Sequence, residues 1–191
     1  ANIPFTVTMN KGQIYNVMAT ITGTVGGDLT GSKIRSVSAG GGCKRIAVFS
    51  GTGKINIGCG NGSADNIIQQ AFPKNAWGKK YLTSPTTGQI NNFFRIAVTD
   101  PTTVVTRNGV QLTTLNNGFY YQYTSNVPDL IEADKPILVS QYSTSQACSG
   151  NGVPGDPDPE FPPLQPRDVL HGWGPGSRRR RPPGAWSEAP G

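Results

Sequence analysis

Two stretches decide the fold: "MNKGQIYNV" at residues 9–17 and "LNNGFYYQY" at residues 115–123. Aligning residues 7–17 with 113–123 sets Asn10 against Asn116, Gly12 against Gly118 and Tyr15 against Tyr121. Each reads as a strand, an Asn/Gly turn and a Tyr-bearing strand. The similarity continues in order, from "DLTGSKI" (28–34) with "DLIEADK" (129–135) to "KRIAV" (44–48) with "KPILV" (135–139). The shared unit is a small antiparallel sheet with one greasy face, which it cannot hide by itself. The reading is therefore all-β: repeated antiparallel sheet units, either stacked as in a sandwich or arranged as blades. Convergence is the competing explanation, because Gly turns and Tyr strands are common in β proteins.

Outward from these stretches the pattern stays β-like. "PFTVTM" (4–9) alternates, Asn10-Lys11-Gly12 turns, and "QIYNVMATIT" runs on. Residues 44–59, "KRIAVFSGTGKINIGC", read as a hairpin about Gly51-Thr52-Gly53. Such a hairpin sets Cys43 nearly opposite Cys59, where a disulfide needs Cα atoms roughly 4.4–6.8 Å apart; two free buried thiols are the alternative. The one helix expected is short and lies near 63–70, capped by Ser63 and stopped by Pro73. Asn108-Gly109 between "TTVVTR" and "VQLTTL" is a strong hairpin signal, since both central positions of a type I′ turn need positive φ. Pro136 is expected at the head of a strand, where a missing N–H is tolerated. In "FYYQY", alternation puts Phe119, Tyr121 and Tyr123 on one face, best used as core, and Tyr120 on the other. Residues 1–160 thus form the expected β domain, and the Pro/Gly/Arg-rich run 161–191 a disordered tail.

Composition narrows the function. Charged residues are 15% of the 191, against roughly 25% in typical domains, and Thr, Ser, Asn, Gln and Gly fill the gap. The net charge of +6 splits evenly, with five Arg against Asp168 and Glu188 in 161–191 and twelve Lys/Arg against nine acids before it. The folded part is only mildly basic, so a nucleic-acid partner is not expected; Arg178–Arg181 reads as a solvated charge run. No apolar run approaches the ~20 residues of a membrane span. The chain opens on Ala1-Asn2-Ile3-Pro4 with no leader pattern, so a removed leader or an excerpt is expected. Three cysteines, an odd number, suit an exported chain with one bridge and a leftover Cys148.

Chemistry finds little support. The single histidine, His171, lies in the tail, so no Ser/His or Cys/His pair is expected. Asp100, Asp129, Glu132 and Asp134 are the carboxylates available for acid–base work on glycans, but each sits at a turn or strand edge, where Asp often serves the backbone. Asp156, Asp158 and Glu160 in "GDPDPE" are the weak calcium candidates; Pro157 and Pro159 stiffen that loop, and solvated charge is the commoner outcome. No catalytic residue, cofactor or metal is expected. Asn61-Gly62-Ser63 is a formal glycosylation sequon.

Several segments in order, "CKRIAVFSG", "NAWGKKYLTSP", "FRIAVTDPTTVVTRNG", "LNNGFYYQYTSN", "IEADKPILVSQYSTSQAC" and "GVPGDPDPEF", resemble the N-terminal domain family of IgGFc-binding proteins. The resemblance covers about residues 43–160 and is weaker before. It implies an exported binding or adhesion module with a protein or glycan ligand, located outside the cell or at its surface, and no enzymatic activity. In the family the "GDP" near Asp156 leads into a further apolar strand; here "FPPLQPRDVLHGWGPGSRRRR" follows, so a domain cut short and continued by a foreign or out-of-frame stretch is expected. The alternatives are a structural spacer in a large surface protein and a glycan-processing enzyme.

Overall fold

The computed structural model describes residues 3–23, 25–37, 40, 42, 44–58, 64–86 and 89–145. Its architecture is antiparallel β with one 3-10 turn at Lys74–Ala76. The strands in chain order are β1 (Ile21–Thr22), β2 (Val25–Gly26), β3 (Phe49–Ile55), β4 (Asp65–Gln70) and β5 (Gly78–Leu82), then β6 (Asn92–Val98), β7 (Val105–Arg107), β8 (Val110–Gln111), β9 (Tyr120–Ser125) and β10 (Leu130–Tyr142). They form a pair β1-β2, a pair β3-β4 and a curled six-stranded sheet of the rest.

β10 organises the main sheet. Its 13 residues carry β5 along one side. On the other side β6 pairs with Ile137–Tyr142 and β7 pairs with Ile131–Ala133. β6 and β7 are thus two stretches of one edge, separated by loop 99–104. β9 extends the sheet from β6, and β8 extends it from β7. Pro136 falls in the gap between the two ladders, where the β5 register also shifts. This corrects its placement at a strand head. It sits inside a long strand, at the one place where no ladder needs its missing N–H.

Alternation then sorts the side chains. Along β6, Asn92, Phe94, Ile96 and Val98 point inward. With Tyr81, Val105, Ile131, Ile137 and Val139 they build a core whose members are at most 4% exposed. Tyr81 satisfies its buried hydroxyl by donating to the Ile137 carbonyl at 2.6 Å and accepting from the Gly78 N–H at 2.9 Å. From the aromatic run, Tyr121 enters this core and Tyr123 packs against it, stacking on Phe94 at 5.0 Å. Tyr120 faces the opposite way, as alternation requires. Phe119 does not join Tyr121 and Tyr123 as expected: it lies just before β9, where alternation has not begun, and packs under Gly31 instead.

The outer face is covered by residues 28–33. Asp28 bends the chain by accepting from the Thr30 N–H at 2.8 Å, and its other oxygen meets Arg95 at 3.4 Å and the Tyr120 hydroxyl at 3.2 Å. Arg95 donates to the Thr30 hydroxyl at 3.0 Å and lies 4.1 Å over the Tyr120 ring. Gly31, at φ 93°, rides directly on Phe119; a Cβ there would stand 2.3 Å from the ring.

Two further expectations are corrected. Residues 65–70 are strand β4, not helix. Ile67 and Ile68 place β-branched residues opposite Thr52 and Gly51 of β3, and this pairing outweighs the weak preference of so short a helix. Nor does the chain reverse at Gly51-Thr52-Gly53: β3 passes straight through and pairs with β4, with a bulge between Thr52 and Ile55. Gly51 is needed for that approach, since a Cβ would stand 2.2 Å from the Ile67 carbonyl oxygen. Asn108-Gly109, by contrast, turns as expected, at φ 51° and 83°.

The two aligned segments each close a turn. The Gln13 N–H reaches the Asn10 carbonyl at 3.1 Å, and the Phe119 N–H reaches that of Asn116 at 3.0 Å. Beyond the turns the segments differ: residues 120–125 are β9, whereas residues 13–20 carry no strand.

Candidate functional site

Polar residues converge at one end of the curled sheet. β5 ends at Leu82, and the following loop begins with buried Thr83. Its hydroxyl accepts the Asp129 N–H at 3.1 Å, and its N–H donates to the Asp129 carbonyl at 2.9 Å. This ties loop 83–86 to the loop joining β9 and β10. Two inward-facing amides hold the arrangement from below. Gln141, on β10, donates through Nε2 to the Ser84 carbonyl at 3.1 Å and to Asn92 Oδ1 at 3.1 Å. Asn92, on β6 and 1% exposed, also accepts the Thr86 N–H at 2.8 Å and donates to Asn126 Oδ1 at 3.2 Å. Asn126 donates onward to the Ile90 carbonyl, and the Thr144 hydroxyl to Gln89. Buried amides are costly unless bonded, so the network fixes these loops in one arrangement.

Between the loops lies a cleft of about 380 Å³, lined by Ser84–Thr86, Gln89, Asn92, Asn126 and Pro128. None of these residues is charged. Beside it sits an ion pair buried on its acidic side. Asp129, with no exposed surface, lies 3.0 Å from Arg107 Nε and accepts from Asn108 Nδ2 at 2.7 Å. Burial pushes its carboxyl up; the contacts with Arg107, Ser125 and Asn108 pull it down further, and the net is a lowered pKa. Arg107 also lies 4.6 Å over the Tyr123 ring, whose hydroxyl burial drives well above the usual phenol range.

The other carboxylates are likewise engaged. Asp100 folds its own loop through the Thr102 N–H at 2.9 Å and meets Lys135 at 2.7 Å, and Lys135 above all lowers its pKa. Glu132 meets Lys80 at 2.6 Å, and Asp134 accepts the Val104 N–H at 2.9 Å. Asp129 and Asp134 thus serve structure, and no two of the four act on a common group. Cys43, Cys59, Cys148, the Asn61 sequon, Asp156, Asp158, Glu160, His171 and Arg178–Arg181 all lie outside the described residues. Among the described residues no group of three His, Cys, Asp or Glu could hold a metal ion, and no helix is long and apolar enough to cross a membrane.

Sequence reasoning missed the amide network and the Arg107–Asp129 pair. A signal was present: Asn92 and Gln141 occupy inward positions of strands that are otherwise apolar, next to "FFRIAV" and within "ILVSQYS".

Taken together, these features define an all-β scaffold with an open recess at one end of its main sheet, uncharged in its described lining. The family model described as IgGFc binding protein matches residues 1–164, and the chain belongs to that family. The match extends the resemblance back to the first residue. Neither the curated proteins nor the solved structures return a match.

Proposed function

We propose that the protein is an extracellular, non-catalytic binding module acting at or near a cell surface. Its domain spans residues 1–160, and residues 161–191 form an appended tail. The family membership carries this reading, since the family is described by what it binds. The site supports it: four carboxylates held in structural pairings leave contact, rather than proton transfer, as the natural use of the surface. The family description makes the Fc part of immunoglobulin G the first protein probe. Surface plasmon resonance with the full chain immobilised should give saturable binding to Fc or to arrayed glycans, with no product released from the glycans. Hydrolysis without saturable binding would sink the proposal. Labelling of intact producing cells with an antibody to the chain tests the location; signal only after permeabilisation would contradict it.

A further inference from the structure

We infer that the cleft between loops 83–86 and 126–128 is a binding site for a short neutral saccharide, an inference that rests on the reading of the chain as a binding module. The argument starts from what the lining offers. Its volume of about 380 Å³ falls near the lower end of the roughly 300–1,000 Å³ typical of small-molecule sites, which suits a short ligand. Ser84, Thr86, Gln89 and Asn126 present hydroxyl and amide groups, with Asn92 bonded beneath them, while Pro85 and Pro128 add apolar ring faces. That mixture matches a sugar ring, which carries hydroxyls at its rim and C–H groups on its faces.

Other ligand classes fit less well. A phosphate or carboxylate would find no cation in the lining. A purely apolar ligand would take water from the exposed hydroxyl and amide groups of Ser84, Thr86 and Asn126 and return no hydrogen bond. A nucleobase would find no aromatic side chain to stack on. An extended peptide adds to a free sheet edge, whereas this cleft is walled by loops.

Preorganisation strengthens the case. Asn92 and Gln141, at 1% and 7% exposure, bond to both sides of the cleft from beneath. The loops are therefore held in place before a ligand arrives, which lowers the ordering cost of binding.

The test uses the full chain on an array of neutral, sialylated and sulfated oligosaccharides, with immunoglobulin Fc measured alongside. Neutral glycans should bind, and added salt should leave that binding unchanged, because no charged pair is involved. Ser84→Tyr, which crowds the rim, and Asn126→Ala, which removes a wall amide, should each weaken it by about tenfold or more. Thermal melting of both variants separates a lost site from a lost fold. If Asn126→Ala melts early, Ser84→Tyr at the exposed rim decides. Retention only of sialylated or sulfated glycans, or neutral binding unmoved by a folded Ser84→Tyr variant, overturns the assignment. Fc binding with no glycan retained overturns the saccharide inference alone and leaves the binding module standing. Loss of both overturns the two together.

Discussion

At the scale of single residues, Asp129 is the most exacting position. Its carboxylate has no exposed surface, and Arg107 is the charge that compensates it. Arg107→Ala would leave a buried charge without its partner, a change that typically costs about 3–5 kcal/mol, readable in urea unfolding at neutral pH. The pH dependence gives a second readout. In the native chain the Asp129 pKa is lowered, so the folded state binds fewer protons than the unfolded state. Its stabilisation is then fully present above the unfolded value of about 3.9 and is lost as pH falls through the lower folded value. Without Arg107 two of the influences that lower the pKa are gone, while the bonds from Ser125 and Asn108 stay. The folded pKa moves back toward the unfolded value, and the variant should lose less stability than the native chain as pH falls. A variant whose stability falls with pH as the native one does would contradict this account. Asn108 makes a related case. Its side chain holds Asp129 Oδ1 at 2.7 Å and accepts the Leu130 N–H at 2.8 Å, from a backbone at φ 51°. Asn108→Gly keeps that backbone and loses only the bonds, about 1–3 kcal/mol. Asn108→Ala should cost about 1 kcal/mol more, for the left-handed strain. Equal losses in the two variants would assign no role to the backbone angle.

At the scale of elements, β3 and β4 depend on one close approach. Gly51 lies opposite Ile68, where any side chain would press on the Ile67 carbonyl. Gly51→Ala should raise amide exchange across 49–55 and 65–70, while β6, β9 and β10 keep their protection. Unchanged exchange in β4 would show that the pair accommodates the methyl. The same strand explains what was hard to read in the sequence. "SGTGK" carries turn residues, yet β4 supplies a partner that single-chain pattern cannot reveal, and the six residues of β4 are too few to distinguish helix from strand by period. Asn108-Gly109 was legible because both of its angles are set locally. The apolar strands around Ile96 and Val139 were legible for the same kind of reason: alternation survives whatever the partner. The cleft was not. It is built by amides brought together across 49 positions, Asn92 to Gln141, and their meaning appears only once β6 and β10 pair.

At the scale of the whole molecule, two turns with similar sequences lead to different outcomes. In the segment at 115–123 both Asn117 and Gly118 have positive φ, at 50° and 75°, whereas in that at 9–17 only Gly12 does, at 86°. Positive φ at both central positions matches the twist of flanking strands, and positive φ at the second alone splays them. Accordingly β9 joins the main sheet, while residues 13–20 pair with nothing regular and leave Ile14, Val17 and Met18 exposed. Among the described residues, the contacts that tie the segment before residue 38 to the main sheet include Asp28, Thr30 and Gly31 on the face of Arg95, Tyr120 and Phe119, with Lys33 reaching the Thr99 carbonyl at 3.3 Å. Arg95 carries the ion pair, the Thr30 bond and the ring contact at once. Because it points away from the core, its loss should free the covering segment without opening the sheet. Arg95→Ala is expected to bring amide exchange of residues 28–33 up to that of residues 13–20, with β6, β9 and β10 unchanged and a stability loss of about 1 kcal/mol. If protection of 28–33 survives the substitution, the seat of Gly31 on Phe119 holds the segment instead. Gly31→Ala, strained at φ 93° and crowding the ring, would then be the variant that releases it.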